Sequence, residues 1–204
     1  PEQIKSATGN RGTFDAGERN ILFMPSDSNY LKAVDQGDMQ AAQQMVDQKA
    51  RENGYSRKYH HGTSNAGKKD ILNNGIDQMK SEKGYFGRGF YAADDITLAK
   101  ENYAEFSGDE GGGSVVSFVI PDSAKILDLK NSKDFETYKK LKHRGRPVTS
   151  LISVDNFNEI MVGLGIDGLK DESFGGIVIY NEKLVKSADP INYDSKGNPI
   201  PLSK

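Results

Sequence analysis

The chain has 204 residues and no cysteine; 35% of it is hydrophobic and 27% charged, and 27 Lys plus Arg stand against 29 Asp plus Glu for a formal charge of −2. That length holds one ordinary domain with an appendage, and the near-balanced charge excludes an electrostatic drive of the whole chain toward nucleic acid or membrane, though not a local basic patch. Without cysteine there are no disulfides, thiol nucleophiles or thiolate metal sites; three histidines (His60, His61, His143) are too few for a His-rich metal site, and no apolar run reaches the roughly 20 residues of a bilayer span.

Residues 1–27 read as an irregular tail, because Ile4, Phe14, Ile21, Leu22 and Phe23 stand isolated among polar residues with no period of 3.6 or 2. Residues 28–55 read as a helical lead-in. Tyr30, Leu31 and Val34 predict a short helix that stops at Gly37. Asp38 is a candidate N-cap for a second helix reaching about Asn53, with Gly54 as its stop and Met39, Ala42, Met45, Val46 and Ala50 on one stripe. Arg57 to His61 is then a short strand, Ala66 to Asn74 a helix closed by Gly75, Gly89 to Ala93 a strand, and Ile96 to Phe106 a helix. Ser107 to Ser114 (SGDEGGGS) is a flexible loop by composition. Val115 to Ile120 and Lys125 to Leu129 are strands, Ser132 to His143 a charged helix, Asp155 a cap for a helix through Leu164, and Gly176 to Tyr180 the last strong strand. The stretch 189–204, with Pro190, Pro199 and Pro201, reads as a loop. No solenoid repeat is present.

No GxxxxGK[ST] loop, HExxH, GxSxG elbow or EF-hand spacing occurs, so kinase and hydrolase readings have nothing to stand on. Two clusters carry chemistry. The first is Tyr59-His60-His61-Gly62-Thr63-Ser64 at a strand end: a glycine there lets a flat ligand lie against backbone N–H and C=O, with an imidazole beside it. Taken alone, it favours the reading of a surface strand ending in two solvated histidines. The second is Gly84-Tyr85-Phe86-Gly87-Arg88-Gly89-Phe90-Tyr91-Ala92-Ala93-Asp94, followed by a helix bearing Tyr103. Its glycines demand a tight bend, and Tyr91 with Tyr103 could wall a slot for a planar ring, whereas strand alternation assigns Phe90 to the core.

His-Gly-Thr followed some 25 residues on by FGRGFYAADD and a helix ending in NY resembles the ADP-ribosyltransferase superfamily, in the branch of diphtheria toxin and the poly(ADP-ribose) polymerases. The likeness takes in VVSFVIPDSAKILDL and ends at GGIVIYNEKLVKS, covering about residues 56–187 of a domain expected at 56–188. The lead-in SNYLKAVDQGDMQAAQQMVDQKARENGY resembles the approach to such domains in phage and prophage polyproteins and MuF-type toxins, and PEQIKSATGNRGTFDAGERNILF resembles the exit from a preceding domain, in keeping with a chain that begins at Pro1.

The resemblance implies an α+β fold, a split mixed sheet with helices, behind an N-terminal helical pair. It implies an NAD-dependent mono-ADP-ribosyltransferase: NAD as substrate, no metal, a macromolecular acceptor (protein or nucleic acid), no membrane, and an immunity protein if the chain is a toxin. The expected chain is soluble and bacterial or phage-derived, a toxin or effector delivered into a target cytoplasm. In this reading His61 bonds the nicotinamide-ribose 2′-hydroxyl, the Gly62 backbone pairs with the carboxamide, Thr63 sits near the ribose or adenosine, and Tyr91 and Tyr103 sandwich the nicotinamide. His61→Ala and Tyr91→Ala are expected to abolish nicotinamide release at nearly unchanged thermal stability, and His60→Ala to be silent.

Two departures stand out. One residue more separates Tyr91 from Tyr103 than in the best-known members. The family's catalytic Glu, at the start of the last core strand, aligns with Gly175 or Gly176. Glu172 is the expected substitute, ahead of Asp171 and Glu159; Glu182 follows the strand. The alternative is a catalytically silent module of the same fold serving as a binding or structural part of a phage-derived polyprotein. A tRNA 2′-phosphotransferase is disfavoured, since Arg57, Lys58, Lys68, Lys69 and Arg88 are scattered.

Overall fold

The computed structural model describes residues 28–74, 76–80, 83–105, 112–172, 175–189, 192–193 and 199–200; the expected tail at 1–27, Gly75, Phe106 and residues 107–111 of the expected loop lie outside these. The lead-in is a helical pair. Helix α1 (Ser28–Asp35) turns at Gly37, whose φ of 72° suits a residue without a Cβ, into α2 (Met39–Glu52). Asp38 caps α2 by accepting the Ala41 N–H at 3.0 Å. Tyr30, Ala33, Val34, Ala42 and Val46 form the seam between the helices. The far end of α2 docks on the sheet: Ala50 packs with Val119 and Ala188, Gln43 donates to the Ala188 carbonyl at 2.9 Å, and Asp47 pairs with Lys58 at 3.2 Å.

The body follows in chain order as β1 (Arg57–Thr63), α3 (Asn65–Asn74), β2 (Phe90–Ala93), α4 (Ile96–Ala99), β3 (Ser114–Ile120), β4 (Ile126–Asp128), α5 (Ser132–Lys140), β5 (Lys142–His143), β6 (Arg146–Pro147), α6 (Phe157–Gly163), β7 (Gly168–Asp171), β8 (Gly176–Ile179) and β9 (Lys186–Ser187). Among the described residues this is an α+β fold of six helices around a seven-stranded mixed sheet of order β4-β7-β8-β2-β1-β3-β9, in which β4 and β7 are the parallel pair. The period-2 alternation divides β8 between two cores. Ile177 and Ile179 join Tyr59, Phe90, Phe118 and Ile120 on one face, while Val178 joins Leu169, Phe157, Met161 and Tyr180 on the other.

Several boundaries differ from expectation for local reasons. Helix α5 ends at Lys140 because Leu141 is extended (ψ 134°), and the chain folds into the β5–β6 hairpin in place of a last helical turn. Asn156, not Asp155, precedes α6, and Asp155 is drawn off by Lys83 at 2.8 Å. Strand β7, too short and polar to show a period, was not expected. In the stretch expected as loop, β10 (Asn192–Tyr193) pairs with β11 (Pro199–Ile200).

Candidate active site

Strand β1 runs beside β3 along its whole length, from Arg57↔Ile120 to Thr63↔Ser114, but meets β2 at one register position, His60↔Ala93. The side on which β1 presents its backbone follows from β3. Ser117 turns its N–H to Asp189 Oδ2 (2.9 Å) and its carbonyl to the Ala188 N–H (3.0 Å), both away from β1. His60, opposite Ser117, therefore directs its own backbone toward β2, and so does Gly62 two residues on. Continuing the register by two residues would set Gly62 opposite Tyr91. There the ladder ends, and the Tyr91 carbonyl accepts at 2.6 Å from a side chain, His61 Nδ1–H. The imidazole thus stands where a ladder amide would, and β1 and β2 part at Gly62.

That bond also sets the tautomer. Nδ1 carries the proton, and Nε2 is left as an acceptor. Burial pushes the His61 pKa down, against the pull of the Tyr91 carbonyl, so the ring is neutral at pH 7. It packs on Phe90 at 4.5 Å between centroids. His60 faces the other side of the sheet, its Nδ1 3.0 Å from Ser117 Oγ. Burial and then the Lys58 charge lower its pKa, with Asp189 and Asp95 opposing.

Gly62 is needed for contact. A Cβ there would lie 2.1 Å from the Ala99 carbonyl oxygen, 2.7 Å from the Ala104 nitrogen and 2.7 Å from Tyr103 Cβ. Asp95 caps α4 through the Thr97 and Leu98 amides at 2.6 and 3.3 Å. Past Ala99 the helix widens over Lys100–Ala104, with the Glu105 N–H donating to the Lys100 carbonyl five residues back at 3.0 Å. Such a π turn absorbs one added residue and lets the helix continue. This segment begins between Tyr91 and Tyr103, where the resemblance implies one residue more, and Tyr103, 40% exposed, is delivered to Gly62.

Tyr91 is held by a turn that sequence reasoning noticed only as a bend. Gly84 and Gly87 exchange two backbone bonds (3.1 and 3.0 Å) around Tyr85 and Phe86, with Gly87 at φ 80°. The Tyr91 ring covers Gly84, where a Cβ would lie 2.3 Å from Cζ. Its hydroxyl accepts from the Phe86 N–H (2.9 Å) and donates to the Gly87 carbonyl (2.8 Å). Burial pushes this hydroxyl's pKa to about 12, so it stays protonated. Two glycines bracketing two aromatics is the signal that could have identified the turn. Thr63 ends β1 with its hydroxyl against Gly67 of α3.

The carboxylates divide. Gly176 pairs with Ala93 on one side and Asp171 on the other, so Asp171 shares the sheet face of Tyr91, Gly62 and His60. Glu172 is exposed and binds Lys130, beyond β4 at the sheet edge far from β1, at 2.7 Å. Glu159 lies in the first turn of α6; Glu182 follows β8, its pKa raised by burial. Among the described residues no group of three His, Cys, Asp or Glu is placed to hold a metal ion, and no helix is long and apolar enough to cross a membrane. No family model matches the chain, and no curated protein matches it.

Proposed function

We propose that the chain is an NAD-cleaving mono-ADP-ribosyltransferase domain of the diphtheria toxin and poly(ADP-ribose) polymerase type, acting on a macromolecular acceptor as a toxin or phage effector. The observation that carries this is the parting of β1 from β2 at Gly62, with His61 Nδ1 on the Tyr91 carbonyl and Tyr103 brought to the same edge. In this reading the nicotinamide carboxamide pairs with the Gly62 N–H and C=O, Tyr91 and Tyr103 hold the ring, and His61 Nε2 accepts a ribose hydroxyl. The nicotinamide–ribose bond breaks with its electron pair leaving on the ring nitrogen. The acceptor's lone pair then closes on the sugar carbon, and the acceptor proton passes to water. Positive charge on the sugar is the costly element. Asp171 is a carboxylate on that face, but two strand spacings place its backbone about 10 Å from β2.

That distance favours a second reading, a module of the same fold that binds NAD and cleaves it slowly or not at all. Incubation with NAD and mass detection of free nicotinamide, beside NAD binding by calorimetry, separates the two. Release that is lost in His61→Ala supports the transferase, binding without release supports the silent module, and absence of binding refutes both.

A further inference from the structure

Five of the eight residues from Lys139 to Arg146 are Lys or Arg, and none is acidic. The segment carries +5 in a chain of −2, which leaves −7 on everything else. Lys139 pairs with Glu136, whose carboxylate also feels the Lys140 charge, whereas Lys142, Arg144 and Arg146 are exposed and have no ion-pair partner among the described residues. The charge is mounted on a rigid support. The hairpin closes with His143↔Arg146, and the Val148 N–H donates to the Leu141 carbonyl at 3.1 Å. Val148 is fully buried at its base, and Tyr138 anchors the end of α5. The two loop residues, Arg144 and Gly145, have φ of 49° and 79°, the pattern of a tight primed turn.

Arg144 is the one non-glycine residue with positive φ among the described residues. Asn or Gly would fit that position with less strain. An arginine kept there gives up stability to hold a guanidinium at the tip. On the same side of the fold, Phe86 meets Tyr138 edge-on at 6.4 Å, and its neighbour Tyr85 is 78% exposed.

We infer that the β5–β6 hairpin is a docking finger for the phosphate backbone of a single-stranded nucleic acid, with Tyr85 as a platform for base stacking. Guanidinium groups suit phosphate, and an exposed aromatic ring suits the bases of an unpaired strand. A bilayer fits worse. The tip, His143 to Arg146, has no apolar side chain to insert, and the net negative remainder of the chain would face an anionic plane, whereas a strand can pass the tip alone. Under the proposed function, and resting on it, this names the acceptor class. The binding test uses no NAD, so its outcome is separate from that of NAD cleavage.

The test is fluorescence anisotropy with labelled oligo(dT) and oligo(U) of about 20 nucleotides, over about 50 to 300 mM KCl. The expected log–log salt slope lies between about −2 and −3.5, at roughly 0.7 per phosphate neutralised. K142E/R144E/R146E should bind at least about tenfold more weakly with a slope shallower by about 2, while K32E/K49E/R51E, the same charge change on the helical pair, should stay within about twofold. Tyr85→Ala should weaken binding by about fivefold or more. Arg144→Asn should bind more weakly yet melt about 2 °C higher. Salt-insensitive binding, equal losses in the two triple variants, an unaffected Arg144→Asn, or capture by phosphatidylserine vesicles but not by either oligonucleotide would overturn the inference.

Discussion

Tyr91→Phe separates the two duties the structure gives this side chain. The ring is kept, so the slot wall and the cover over Gly84 remain; what goes is a hydroxyl that accepts from the Phe86 N–H at 2.9 Å and donates to the Gly87 carbonyl at 2.8 Å. Gly87 O retains the Gly84 N–H, but the Phe86 N–H loses its acceptor beside a buried residue. One bond lost at about 1 kcal/mol, plus part of the desolvation cost of the amide left behind, amounts to about 2 kcal/mol. In a chain of this size that lowers the melting temperature by about 4–8 °C. Tyr91→Ala also opens the space over Gly84 and should lose more. This corrects the expectation that Tyr91 can be removed at little thermal cost. The assay is differential scanning calorimetry of the three proteins, with NAD binding measured well below the lowest transition. Binding should survive in Tyr91→Phe and fail in Tyr91→Ala. A Tyr91→Phe transition within about 1 °C of wild type would refute the pinning role.

Gly62→Ala would drive a Cβ to 2.1 Å from the Ala99 carbonyl, which cannot yield without moving the helix, so a loss of about 3 kcal/mol and of NAD binding is expected by denaturant titration and calorimetry. His61 has a folded pKa below its unfolded 6.5, so its contribution is complete above pH 6.5 and falls away below it as the unfolded chain takes up the proton. Unfolding free energies from denaturant titration between pH 7.5 and about 5 should fall by at most about 1.4 kcal/mol per pH unit from this group, and His61→Asn, which can keep the donor to the Tyr91 carbonyl, should flatten that fall and lose NAD. Glu172→Gln removes an exposed, solvent-screened pair and should leave both melting and nicotinamide release unchanged. A carboxylate in contact with the sugar charge at ~4 Å gives about 4 kcal/mol at an effective dielectric of 20, against about 1.7 at ~10 Å, so Gly176→Glu should raise nicotinamide release by roughly 50-fold in a single-turnover assay; no gain would refute the carboxylate account of slow cleavage.

What could be read from the residues, and what could not, divides along the range of the forces involved. Asp38 as a cap, Gly37 and Gly54 as stops, and the continuous apolar runs of β3 and β8 are local signals, and each appears where expected. His61, Gly62, Tyr91 and Tyr103 could be singled out by type, but not what joins them, because the parting of β1 and β2 depends on a bond between residues thirty positions apart. The fate of Glu172 was hidden for the same reason: Lys130, its partner, is forty-two residues away and reaches it only because β4 and β7 run parallel. The widened turn is the instructive middle case. Against the family the chain resembles, a count of residues between the two tyrosines gives one more, and the same count cannot tell a displaced Tyr103 from a bulged helix. Packing decides it. Gly62 admits the backbone of Ala99 and Ala104 so closely that the helix has no freedom to shift by a residue, and the surplus is pushed into the backbone hydrogen bonds, where one i→i−5 turn holds it. The glycine at which β1 and β2 part is therefore the same residue that fixes Tyr103 beside it.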